Sequence, residues 1–116
     1  MNFPTVRTPL LAASLMAFLL SGSAVAAVDA DAAKSLAKKN DCFKCHAIDK
    51  TKKGPSYQKI SAKYKGKEAE GMEKMHKNIT TGPKVKLEDG SEEEHKIIEV
   101  KDPAELKNLL QWILAQ

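Results

Sequence analysis

The sequence predicts a small all-α domain, and three observations support this prediction. Apolar residues recur at helical spacing in four segments, glycine and proline interrupt the chain between these segments, and the last segment carries a complete helix start. A typical domain has about 150 residues, so the 116-residue chain forms one domain. Its two cysteines are too few for a disulfide-dense scaffold.

Residues 1–26 have the pattern of a cleaved signal peptide. Arg7 supplies a positive charge, Leu10 to Leu20 is an apolar run, and Ala24-Val25-Ala26 fits the small-residue rule for cleavage. The apolar run is shorter than the roughly 20 residues that cross a bilayer, so we expect no stable membrane insertion. Residues 27–116 then form the mature domain, and the expected location is the periplasm, where disulfide bonds are permitted.

Helical periodicity places three helices in the first two thirds of the mature chain. The first covers Asp31–Lys39, and its small apolar residues recur at positions i, i+3 and i+4. The second begins near Tyr57 and is closed by Gly66. The third covers Glu68–Ile79 and ends near the Gly82-Pro83 turn signal.

The last predicted helix has the clearest pattern. Asp102 has the position of an N-cap, Pro103 occupies the first helical position, and Glu105 follows two residues later. Trp112 lies off the centre of the apolar stripe that follows, which consists of Leu106, Leu109, Leu110, Ile113 and Leu114. We interpret this stripe as ordinary core.

The segment before the last helix predicts a long loop with at most a small β-hairpin. Asp89-Gly90 is a typical hairpin turn, and apolar residues lie on both sides of it. The acidic run Glu92-Glu93-Glu94 and the poor pairing of apolar residues across the turn favour a loop.

The residues with the clearest functional chemistry form the run Cys42-Phe43-Lys44-Cys45-His46, called here the attachment segment. This C-x-x-C-H pattern is the attachment signature of c-type haem. One turn of chain holds the two thiols close enough to form thioethers to the two vinyl groups of a haem, and His46 then lies below the iron as proximal ligand.

Three other interpretations of the two cysteines compete with haem. A thioredoxin-like pair requires a strand before Cys42, and the sequence there predicts a helix. A structural zinc site requires four ligands, and the remaining histidines, His76 and His95, lie at no standard spacing. A plain disulfide leaves His46 unexplained.

The chain resembles the small bacterial class I c-type cytochromes. The resemblance is most specific between Asp41 and Gly66, where the C-x-x-C-H run is followed by Gly54-Pro55-Ser56-Tyr57. It implies a cytochrome c-like fold, in which the N- and C-terminal helices cross around one covalently bound haem. It also implies that the Pro55 carbonyl accepts a hydrogen bond from the proximal histidine, which fixes the orientation of the ring.

The chain departs from this family at the sixth iron ligand. The family places a Met-Pro pair in the loop before the last helix, and this sequence contains no Met-Pro. His95 lies in the corresponding loop and is our first choice, because neutral imidazole binds haem iron well. Lys96 would first have to lose a proton from a group with a pKa near 10.4. The remaining alternatives are an iron without a sixth protein ligand and three residues of the third helix, Met72, Met75 and His76.

Charge is unevenly distributed along the mature chain. Residues 34–67 contain eleven lysines and two acidic residues, whereas residues 68–105 contain six lysines and eleven acidic residues. We expect redox proteins to dock at the lysine-rich haem edge, because such a patch raises the rate of encounter with acidic partners. We expect no nucleic-acid partner and a monomeric protein. The lysines next to the attachment segment are Lys44, Lys50, Lys52 and Lys53.

These features predict a periplasmic monohaem c-type cytochrome that carries single electrons between redox proteins and is not an enzyme. A pair of axial histidines predicts a lower potential than the histidine–methionine pair usual in the family. The alternative is a haem protein that binds or senses gases through a labile sixth ligand. A small haem peroxidase is a further possibility, for which a 90-residue mature chain leaves little room.

Overall fold

The computed structural model describes residues 2, 4, 5 and 27–116. The predicted apolar run and cleavage site of the signal peptide lie outside the described residues. Among the residues that the structure describes, no helix is both long enough and apolar enough to cross a membrane.

The described residues form four α-helices and one two-stranded sheet, which confirms the predicted mostly helical fold with a small hairpin. A short 3-10 turn, Cys42–Lys44, lies between the first two helices. The elements in chain order are α1 (Ala30–Lys39), α2 (Tyr57–Lys63), α3 (Glu68–Thr81), β1 (Lys84–Lys86), β2 (Glu92–Glu94) and α4 (Pro103–Leu114).

Helix α1 packs against α4 and brings the two ends of the domain together. The Asp29 side chain caps α1 by accepting a hydrogen bond from the Ala32 backbone at 3.0 Å. Ala33 and Ala37 are fully buried, and their small side chains allow the two helices to approach closely. Asn108 of α4 exchanges two hydrogen bonds with the Asp29 backbone, at 2.8 and 2.9 Å, and so fixes how the helices meet.

Helix α4 provides the centre of the core and contacts all three other helices. It begins as predicted, because the Asp102 side chain accepts from the Ala104 backbone at 2.9 Å and Pro103 takes the first position. Burial of a leucine side chain stabilises a fold by about 1.5–3 kcal/mol, so this face is a main source of stability. The buried residues of α4 are Leu106, Leu109, Leu110, Trp112 and Ile113.

The hairpin connects α3 to the loop that precedes α4. Gly82 ends α3 with a φ of 61°, a left-handed conformation that favours glycine. β1 and β2 are antiparallel, and the cross-strand pairs include Lys84 with Glu94 and Lys86 with Glu92. The acidic run, which favoured a loop in the sequence, therefore forms β2, because opposite charges face each other across the two strands.

Candidate functional site

The attachment segment begins where α1 ends. Asp41 has a φ of 59°, in the left-handed region, and turns the chain into the 3-10 helix. The backbone amides of Cys45 and His46 both donate to the Cys42 carbonyl, at 3.3 and 3.0 Å, so the motif forms one tight turn. Both cysteines are half-buried, and no disulfide bond joins them. Burial is the main cause that raises the pKa of the Cys42 thiol.

His46 is oriented by the Gly54-Pro55 turn, as the resemblance implied. Its Nδ1–H donates to the Pro55 carbonyl at 2.7 Å, and this leaves Nε2 as the nitrogen with a free lone pair. Burial lowers the pKa of His46 and favours the neutral imidazole, which is the form that binds a metal. The Gly54 amide donates to the Cys45 carbonyl at 2.8 Å and closes the turn under the ring.

Gly54 leaves room for the His46 ring. A Cβ atom at this position would lie 2.8 Å from His46 Cε1 and 3.1 Å from His46 Nδ1, and 3.3 Å from the Cys45 carbonyl oxygen. Contacts below 3.0 Å between such atoms do not occur without a shift of one of them. The turn therefore requires glycine because the histidine ring lies directly against the backbone.

A cluster of three aromatic rings includes one that lies against His46. Tyr57 is 2% exposed and stacks on His46, with ring centroids 5.4 Å apart and planes at 23°. Trp112 meets Tyr57 edge-on at 5.5 Å, and Phe43 lies 6.0 Å from Tyr57 on another side. Burial raises the pKa of Tyr57 well above its usual range. The sequence predicted Tyr57 only as a helix-face residue, although the Gly54-Pro55-Ser56-Tyr57 run contained a signal for its position.

The His95 ring lies close to the His46 ring. The two ring centroids are 6.2 Å apart and the ring planes meet at 37°. The Nδ1–H of His95 donates to the Lys96 carbonyl at 2.9 Å, so Nε2 again keeps the free lone pair. The His95 backbone amide donates to the Pro83 carbonyl at 2.9 Å, which holds the His95 backbone at the end of the hairpin.

The other candidates for the sixth ligand lie in different surroundings. Met75 is 8% exposed and belongs to the hydrophobic core, and Met72 is half-buried and packs against the same core. His76 is exposed on α3. Lys96 forms an ion pair with Asp41 at 2.9 Å, and this pair raises the pKa of the lysine. The ammonium form that the pair stabilises has no lone pair for a metal.

The donors at this site fit a covalently bound haem. Two cysteines and an oriented imidazole lie in one tight turn, and a second imidazole lies close to the first. A metal–imidazole bond is about 2 Å long, so two imidazoles that would hold one metal would have ring centroids at most roughly 6 Å apart. Among residues 2, 4, 5 and 27–116, no group of three or more histidine, cysteine or acidic side chains is arranged to hold a bare metal ion.

Comparison with known proteins decides the family. The family model for cytochrome c matches residues 30–116. The chain is a member of the cytochrome c family. A similar solved structure is the class 1 cytochrome MtoD from Sideroxydans lithotrophicus ES-1, with 54% identity and a TM-score of 0.71. The match covers 77% of this chain and 97% of that chain. Among curated proteins, none matches significantly.

Membership of this family defines the cofactor and the kind of activity. The cytochrome binds haem c, and Cys42 and Cys45 fit its attachment pattern. The family consists of electron carriers, so this cytochrome is an electron-transfer protein and not an enzyme. The class I fold, predicted from the resemblance, is confirmed.

Proposed function

We propose that this cytochrome is exported to the periplasm, where it carries single electrons between redox proteins with His46 and His95 as the axial ligands of one haem. Export is supported by the positive charge, apolar run and small-residue cleavage pattern of residues 1–26. Transfer of single electrons follows from membership of the cytochrome c family.

The short distance between the two imidazoles is the observation that carries the axial assignment. The 6.2 Å between the ring centroids of His46 and His95 is close to the separation that two imidazoles would have if both held one metal. Both Nδ1–H groups donate to backbone carbonyls, of Pro55 and Lys96, so both Nε2 atoms are left for coordination.

Met72 and Met75 support the assignment by their packing. Both belong to the apolar contacts between the helices, where a thioether fills space in the core. A pair of histidines binds iron without the methionine that raises the potential of most relatives, so we expect a lower potential than is usual in this family.

The residues around the site hold the cofactor and control its environment. Cys42 and Cys45 bind it covalently, and the Pro55 carbonyl increases the basicity of His46 and holds its ring in one orientation. Tyr57 and Trp112 exclude water from the proximal side, because both rings are almost fully buried. The haem supplies a reversible one-electron couple when it is bound.

The lysines near the attachment segment are the proposed docking surface. They fall into two groups, those that form an ion pair and those that do not. Lys44 lies 3.5 Å from Asp41, and Lys53 lies 4.0 Å from Glu93 of the hairpin. Lys50 and Lys52 are exposed and form no ion pair with any residue that the structure describes. Their uncompensated charge favours an acidic redox partner.

A comparison of His95→Ala with His76→Ala tests the axial assignment. We expect the wild type and His76→Ala to show a six-coordinate low-spin haem that does not react readily with carbon monoxide. His95→Ala should give a high-spin spectrum and bind carbon monoxide. A low-spin spectrum that is unchanged in His95→Ala would contradict the assignment.

Two further measurements test the rest of the proposal. A pyridine haemochrome assay on protein from the periplasmic fraction reports whether two thioether bonds have formed, and its mass reports cleavage after Ala26 or Ala27. A wild-type ferrous protein that binds carbon monoxide rapidly would instead favour the gas-binding alternative.

A further inference from the structure

We propose that Asn40 and Asp41, the two residues before Cys42, position the loop that carries His95. The loop of residues 95–101 is called here the His95 loop. The proposal deepens the proposed function and rests on it, because His95 must be the sixth ligand for the position of this loop to affect the iron.

Asn40 uses its side-chain amide to join the end of α1 to the His95 loop. It is 5% exposed, its Nδ2 donates to the Leu36 carbonyl at 3.0 Å, and its Oδ1 accepts from the Glu99 backbone at 3.2 Å. The first bond fixes the side chain against α1, and the second holds the loop backbone. Loss of such a buried side chain leaves the Glu99 amide without this acceptor.

Asp41 makes the second connection. Its carboxylate accepts from the Lys96 ammonium at 2.9 Å, next to His95 in the chain. The left-handed conformation of Asp41 is uncommon for a residue other than glycine, asparagine or aspartate. The same turn therefore starts the attachment segment and directs a carboxylate towards the His95 loop.

The other hydrogen bonds of the His95 loop lead to a different part of the fold. His95 donates to Pro83 and Ile98 donates to Ile79, so these bonds fix the loop to the end of α3. Among the hydrogen bonds of the described residues, those of Asn40 and Asp41 connect the loop directly to the segment that carries His46. They therefore control how firmly the two imidazoles are held at their separation.

The rate at which an added ligand binds tests this positioning role. When His95 occupies the sixth site, carbon monoxide or imidazole binds only as fast as His95 leaves. We expect Asn40→Ala to raise this rate by about tenfold, which corresponds to about 1.4 kcal/mol. Asp41→Asn keeps a residue that tolerates the left-handed conformation and removes an exposed charge, so we expect an increase of about twofold.

Asn108→Ala is the matched control. Asn108 also makes two hydrogen bonds to distant backbone, but both join α4 to Asp29. We expect this variant to lower the free energy of unfolding in urea without changing the rate of ligand binding, because the His95 loop is untouched. An equal rise in the binding rate of Asn108→Ala and Asn40→Ala would overturn the positioning role and indicate general loosening.

The outcomes separate this proposal from the axial assignment. If His95→Ala loses the six-coordinate spectrum while Asn40→Ala and Asp41→Asn bind added ligands at the wild-type rate, only the positioning role is wrong. If His95→Ala keeps the wild-type spectrum, the axial assignment itself is wrong. If Asn40→Ala fails to assemble with haem, the rate at which Asp41→Asn binds the added ligand tests the positioning role, and a wild-type rate would overturn it.

Discussion

Replacement of Gly54 by alanine is a sharp test of how this chain holds its proximal histidine. The new methyl group would lie 2.8 Å from His46 Cε1, and it would also contact the Cys45 carbonyl at 3.3 Å. The backbone at Gly54 cannot move easily, because the Gly54 amide is hydrogen-bonded to Cys45 and the carbonyl of the next residue, Pro55, is hydrogen-bonded to His46. The His46 ring must therefore move away from the Pro55 carbonyl.

The expected cost has two parts. Overpacking in a filled site destabilises a fold by about 1–3 kcal/mol. A weakened hydrogen bond to a buried group adds about 1 kcal/mol. We expect Gly54→Ala to lower the free energy of unfolding by about 2–4 kcal/mol and to change the haem absorption spectrum.

Urea unfolding of the holoprotein, followed by haem absorbance and far-UV circular dichroism, measures this effect. Gly66→Ala is the matched control, since Gly66 has a φ of 76° and no atom within 4 Å of an added Cβ. Its cost is conformational, about 1 kcal/mol, and its haem spectrum should remain that of the wild type. A Gly54→Ala protein with wild-type stability and spectrum would refute the steric argument.

Three further predictions concern surface charge and the core. Lys50→Gln should lower the rate constant for reduction of ferricyanide by the ferrous protein by about twofold at low salt, whereas Lys107→Gln on α4 should not. Leu109→Ala, at a position 2% exposed, should lower the free energy of unfolding by about 2–5 kcal/mol in urea. The Lys96 ammonium lowers the pKa of Asp41 below its ordinary value of 3.8. The ion pair therefore stabilises the fold above pH 3.8, and this stabilisation is lost as the pH falls through the lower pKa of the folded state. In Asp41→Asn, the free energy of unfolding should depend less on pH in this acid range.

Patterns of residues close together in the sequence were sufficient to predict the helices. The predicted starts of α1 and α4 agree with the structure within a residue or two, because caps such as Asp102 and first-turn prolines act over three or four residues. The hairpin was harder to predict. Three consecutive glutamates have low strand propensity, and only their pairing with the lysines of β1 makes the strand favourable.

The haem-attachment motif could also be predicted from the sequence, because the chemistry of Cys42, Cys45 and His46 depends on their spacing along the chain. The residues that pack against His46 could not be predicted in this way. Tyr57 is eleven positions further along and Trp112 belongs to the last helix, so their stacking depends on how α2 and α4 pack.

The sequence by itself determined the number and order of the helices, the C-x-x-C-H motif and the uneven charge, because each of these depends on residues close together in the chain. Only the tertiary structure decided that the His95 ring lies 6.2 Å from the His46 ring and that Asn40 and Asp41 join their two segments. These contacts join residues about fifty or more positions apart, so the spacing of residues along the chain does not reveal them.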